Sequence, residues 1–113
     1  VGRVDMARTE LGESSALIRS RVIAAREIAA NRFADEPWKV NSQIPSRALR
    51  TTYQSEKPAM NFLHDELDRE HLTARGLHKV MRVSWTLADM KGHPRPTLED
   101  VQEAHALREG IEM

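Results

Sequence analysis

In the segment Leu72–Met90, which reads LTARGLHKVMRVSWTLADM, an arginine stands two residues after a threonine, and an apolar stripe at helical spacing then runs on to Lys91 and Gly92. Thr73 is a good N-cap, which puts Arg75 in the first turn of a long helix. That is an awkward place for a cation, because the same end carries the positive pole of the macrodipole and unpaired N–H groups. An anion resolves the conflict. Phosphate suits it best, since helix N-termini already favour phosphate and a guanidinium adds two directed donors. The plain alternative is a solvated surface arginine.

Other residues could do chemistry but lack the company they need. His64, His71 and His78 are spaced by seven, yet His71 falls in a break between two helices and no carboxylate pair recurs beside the three, so no metal site is expected. His105 lies on the Leu98 and Val101 side of the last helix, where a partly buried, hydrogen-bonded histidine is the ordinary role. Asp65, Glu66, Asp68 and Glu70 belong to the solvated face of one helix and its end, which promises neither a pocket nor perturbed acids. There is no G-x-x-x-x-G-K-[ST] loop and no apolar strand ending in paired acids, so these residues alone are not expected to hydrolyse a nucleotide.

The elements that must position Arg75 follow from periodicity. Residues 1–13 show no useful period and read as a linker or entry segment. From Ser14 or Ser15, taken as the cap, Ile18, Val22, Ala25, Ala29 and Phe33 mark one buried face of a helix ending near Arg32, with Arg19, Arg26 and Glu27 opposite. A polar loop over 34–45 follows, with Trp38 folded back on the core, and then a short helix from Ser46 to Thr52 that turns Leu49 inward and Arg47 and Arg50 outward. Ser55 is read as the cap of a helix with Pro58 in its first turn and Met60, Leu63 and Leu67 as its stripe. The Thr73 helix buries Leu77, Val80, Met81, Ser84, Leu87 and Ala88 and exits through Gly92, and Thr97 with Asp100 forms a capping box for the last helix. Four main helices and one short one give an all-α bundle over residues 14–113.

Bulk properties narrow the partners. A chain of 113 residues with 40% hydrophobic content suits one domain, and its formal net charge of zero disfavours autonomous binding to nucleic acid or to an anionic membrane. Arginine outnumbers lysine by thirteen to four, which favours phosphate and interface contacts. The absence of cysteine removes disulfides and thiolate chemistry, and no apolar run approaches a bilayer span. A soluble, cytoplasmic protein is expected, and the start at Val1 reads as a piece of something longer.

The ordered motifs resemble the C-terminal domain of the magnesium chelatase-like AAA+ ATPases. The family's opening S-S-x-x-[IV]-R-x-R-V-x-x-A-R-x-I is matched by Ser14-Ser15-Ala16-Leu17-Ile18-Arg19-Ser20-Arg21-Val22 continuing to Ala25-Arg26-Glu27-Ile28. Its N-x-x-[IL]-P loop is Asn41-Ser42-Gln43-Ile44-Pro45, and its S-A-R-G helix ending in T-[IL]-A-D-[LM] is Thr73-Ala74-Arg75-Gly76 with Thr86-Leu87-Ala88-Asp89-Met90. The final E-A is Glu103-Ala104. The chain departs from the family at His78-Lys79, where an Asp-Arg pair is usual, and at Ser84-Trp85, where an Ala-Arg pair is usual.

The resemblance implies a helical lid over residues 14–113, with the ATP-binding core and its Walker motifs upstream. It implies that Arg75 is the sensor-2 arginine reaching the γ-phosphate of ATP, which the core holds with Mg2+, that Gly76 permits close approach, and that Arg21, Arg26 and Arg82 are lesser candidates for nucleotide or neighbouring-subunit contacts. The implied partners are the core domain and the other subunits of a ring, with DNA reached through the parent and no membrane. The motif set is closer to the bacterial branch associated with DNA uptake and recombination than to the branch that inserts magnesium into porphyrins. The competing class is an ATP-independent interaction module or DNA-binding bundle, in which the Thr73 helix would offer His78, Lys79 and Arg82 outward.

Overall fold

The computed structural model describes the backbone of residues 2–112 and the side chains of residues 16–108. Five α-helices follow in order: α1 (Gly2–Arg32), α2 (Ser46–Arg50), α3 (Lys57–Asp68), α4 (Ala74–Lys91) and α5 (Leu98–Glu112), with a 3-10 turn at Asn41–Gln43 between the first two. Four are long, α2 is short, and no strand occurs among the described residues, in agreement with the all-α bundle expected from periodicity.

Helix α4 is the central element, packed against α1, the 3-10 turn, α2, α3 and α5, while α3 also packs on α5. Its stripe explains this: Leu77, Val80, Met81, Ser84 and Ala88 are buried as their spacing requires, and Gly76, Trp85 and Asp89 are buried with them. Phe33, Ile44, Leu49, Leu63 and Val101 complete the core from the other elements. Phe33 and Trp85 each meet the Tyr53 ring edge-on, at 5.3 and 6.0 Å, and Trp38 folds back onto Phe33 and Tyr53.

The start of α1 is a correction: the helix does not begin at Ser14 or Ser15 but runs from Gly2, through the segment read as an entry. The reason is that residues such as Met6, Ala7, Arg8, Glu10 and Leu11 favour helix without needing an apolar stripe. The buried face is also shorter than the stripe suggests, because Ile18 is 51% exposed and burial begins at Ala25. At 31 residues α1 is roughly 46 Å long against about 27 Å for the 18 residues of α4. Its end follows expectation, and the Lys39 ammonium closes it by donating to the carbonyls of Phe33, Ala34 and Glu36 at 2.9, 3.0 and 2.9 Å.

Ser55 is not the cap of α3: Glu56 occupies the N-cap with no side-chain hydrogen bond, while the Ser55 hydroxyl is buried without a partner. Here tertiary pairing decides the entry, since the Glu56 N–H donates to the Pro96 carbonyl across the bundle at 2.8 Å. Helix α3 ends in a Schellman motif, with His71 N–H on the Glu66 carbonyl at 2.9 Å and Glu70 N–H on that of Leu67 at 3.1 Å. Glu70 fills the left-handed position that glycine prefers, at φ 61°. Glu70→Gly is therefore expected to stabilise the domain by about 1 kcal/mol, read as a higher midpoint in urea.

Candidate functional site

The start of α4 is built by local chemistry. The Thr73 hydroxyl accepts from the Gly76 N–H at 3.0 Å, so one of the free donors of the first turn is satisfied and the helix opens where the cap predicts. The Schellman exit of α3 leads directly into this cap, which fixes the direction of Arg75 relative to the bundle. Arg75 is exposed and makes no ion pair or hydrogen bond among the described residues. Its guanidinium is thus available to an outside anion, as the helix-end argument requires.

Gly76 is buried, and its missing side chain is used inside the domain. A Cβ there would lie 3.1 Å from the guanidinium carbon of Arg108, which arrives from α5. Within the domain, the absence of a Cβ at Gly76 makes room for the Arg108 guanidinium at this end of α4. A third basic group is engaged nearby: Arg82 donates to the Ile44 carbonyl at 2.8 Å and to the Ser46 hydroxyl at 3.3 Å, which ties α4 to the start of α2. Arg82 is half-buried rather than fully outward.

Arg21 and Arg26 are both exposed on α1. Arg26 lines a groove of about 440 Å³ with Val22, Ala25 and Ala29 of α1, Val40, Asn41 and Ser42 of the turn, and Thr86 of α4. Thr86 lies eleven residues beyond Arg75, about 16 Å along the helix, so Arg26 and Arg75 occupy separate parts of the surface.

Beside that groove is a buried polar network that sequence reasoning did not identify. Arg32 makes a two-point ion pair with Asp89, whose side chain is fully buried, and its Nη1 also donates to Asn41 Oδ1 at 3.3 Å. Asn41 Nδ2 donates to Asp89 Oδ2 at 2.9 Å and to Thr86 Oγ1 at 3.2 Å. The Arg32 guanidinium lies over the Trp85 ring, 4.3 Å from its centroid. A carboxylate one place past Ala88, on the edge of a buried stripe, was the available signal. It needed a partner 57 residues away to be understood.

The turn from α4 into α5 is held by a second carboxylate. Gly92 takes the left-handed exit at φ 78°, and the capping box forms in both directions, Thr97 N–H to Asp100 Oδ2 at 3.0 Å and Asp100 N–H to Thr97 Oγ1 at 3.2 Å. His93 Nδ1 meets Oδ2 of Asp100 at 2.7 Å, and the Lys91 ammonium stands 3.1 Å from Oδ1 as an ion pair rather than a directed hydrogen bond. Burial alone would push the Asp100 carboxyl up, but the Thr97 N–H, His93, Lys91 and the Thr97 hydroxyl together hold it below the usual range.

His78 is also held low, first by burial and then by the Arg50 and Arg82 charges. Both depressed groups bind a proton more readily in the unfolded chain, so both make stability fall with falling pH. The His78 loss begins below its unfolded value of about 6.5, and the Asp100 loss begins below about 3.9 and is complete once the folded value is passed. Urea midpoints from pH 8 to 3 are expected to show both steps, with His78→Gln removing the upper one and leaving the lower.

His105 is buried, as its position on the last helix suggested, with Nε2 3.3 Å from Glu66 Oε2. His71 Nδ1 approaches the same oxygen at 3.0 Å. Among the described residues no three histidine or acidic side chains converge as a metal site would need, and no helix is long and apolar enough to cross a membrane.

Among the described residues the domain is a strand-free helical bundle whose central helix opens on an exposed arginine. Residues 12–108 match the family described as "Magnesium chelatase, subunit ChlI C-terminal", and the chain belongs to that family: it is the C-terminal helical lid of a magnesium chelatase-like AAA+ protein. An uncharacterised protein of Mycobacterium tuberculosis is 36% identical over 98 residues, which cover 87% of this chain and 20% of that protein, and a Mycobacterium bovis protein matches to the same extent. The competence protein ComM of Haemophilus influenzae is 29% identical over 97 residues, 86% of this chain and 18% of that protein. The chain thus spans about one fifth of the length of the curated relatives it matches. No solved structure matches it significantly.

Proposed function

We propose that this lid couples ATP binding and hydrolysis on an AAA+ core to motion within a ring, with Arg75 as the sensor-2 arginine. The observation that carries this reading is the exposed guanidinium in the capped first turn of α4, without a partner among the described residues. A cation so placed can meet the terminal phosphate of Mg2+-bound ATP on another domain and stabilise the charge of the transferring phosphoryl group. Loss of that phosphate releases the tether, so lid angle follows nucleotide state.

The work done by the ring is proposed to be in DNA recombination, such as branch migration, on the strength of the likeness to a protein named for competence. ATP turnover of the parent carrying Arg75→Ala tests the coupling. A G-x-x-x-x-G-K-[ST] loop in the reading frame before Val1 is the companion test, and its absence would favour the ATP-independent module instead.

A further inference from the structure

We propose that the face shared by α2 and α4, carrying Arg47, Arg50, Lys79 and Arg82, binds the phosphodiester backbone of a nucleic acid. The inference goes beyond the nucleotide-sensing role of Arg75 and needs no ATP.

The zero net charge of the chain conceals a segregation. Helices α2 and α4 together carry Arg47, Arg50, Arg75, Lys79, Arg82 and Lys91 against one carboxylate, Asp89, and that one is buried and spent on Arg32. Lys91, at the far end, is paired with Asp100 and Glu103. Arg47, Arg50 and Lys79 are exposed and have no side-chain partner among the described residues. Arg82 spends two nitrogens on Ile44 and Ser46, both neutral oxygens, so its charge is not cancelled either.

The proximity of these groups has an electrical signature. Burial is the first reason His78 resists protonation, and the Arg50 and Arg82 charges oppose it further. Such a field is relieved by an anion. Lys79 and Arg82 stand one turn apart on α4, about 4.5 Å along its axis, with α2 alongside. A nucleic-acid strand presents one phosphate per about 3.4 Å of helix axis, so several phosphates meet several cations without special geometry.

A protein partner fits less well. Stable protein interfaces centre on an apolar patch, and the exposed large apolar side chains lie mainly on α1, at Leu17, Ile18, Ile23 and Ile28, with Val83 alone beside Lys79. Charge without an apolar centre suits a polyanion.

The test is an NMR titration of the 113-residue chain, without nucleotide, by a 12-base-pair DNA duplex in 50 mM salt. Expected are shifts centred on Arg47, Arg50, His78, Lys79 and Arg82, a rise in the His78 pKa on binding, and about 40-fold weaker binding at 200 mM salt, as for three phosphate contacts. Arg50→Glu with Lys79→Glu should abolish binding. Lys57→Glu with Arg69→Glu, an equal change of charge at the two ends of α3, should not, with thermal melts confirming that both variants fold.

An RNA duplex of equal length tells the source: equal affinity marks recognition of backbone charge alone, and a preference names the nucleic acid, the proposal standing in either case. Absence of shifts at millimolar duplex, shifts centred on the α1 arginines, equal loss in both double variants, or equally tight binding of poly-L-glutamate to the same residues would overturn it.

Discussion

Arg75→Ala in the full-length parent is expected to lower ATP turnover by about 100-fold or more, the scale of losing one directed donor to a developing phosphoryl charge. Folding of the domain should hardly change, because truncating an exposed first-turn side chain removes no core and relieves a cation from the positive end of α4, an effect within about 0.5 kcal/mol. The two measurements together separate a role in turnover from a role in stability. Arg75→Lys keeps the charge but loses the planar fork, so partial turnover is expected from it. Turnover at the wild-type rate in Arg75→Ala would remove this residue from the mechanism. The isolated 113-residue chain should bind ATP only feebly, and micromolar binding followed by NMR would contradict its assignment as a lid whose nucleotide is held mainly elsewhere.

The largest expected loss of stability is at Asp89. Its carboxylate is fully buried, holds Arg32 at two points and accepts from Asn41, so Asp89→Ala leaves a guanidinium without its counter-charge over Trp85 and the Asn41 amide short of a partner. Breaking a buried pair from one side costs about 3–5 kcal/mol, a large fraction of the stability of a small domain, and urea denaturation should show most of it lost. Replacing both members by apolar residues, as in Arg32→Met with Asp89→Leu, should recover much of that loss, because the isolated buried charge is then gone. A double variant no more stable than Asp89→Ala would mean that the pair does more than neutralise itself. The loop carrying Asn41 and the groove wall at Ser42 and Thr86 should shift with it, since Asn41 bonds to both Asp89 and Thr86.

Much of the fold was legible because helix ends are set by neighbours in sequence. The Thr73 cap, the Gly92 exit and the Thr97–Asp100 box each act within a few residues, and all three occur as their residue types require. The stripe of α4 was legible for a related reason: a helix surrounded by other helices must bury its apolar side. The same logic misjudged α1, whose stripe starts at an exposed Ile18.

Arg75 was singled out from the conflict between its charge and its position, and the structure leaves it exposed. What sequence alone determined, then, is the set of helices, their caps and the one cation that local electrostatics cannot explain, because these depend on contacts a few residues apart. Only the tertiary structure decided that Asp89 belongs to Arg32, that Gly76 makes room for Arg108, and that Ser55 caps nothing. Those outcomes join residues dozens of positions apart, and no spacing along the chain encodes which distant group will arrive.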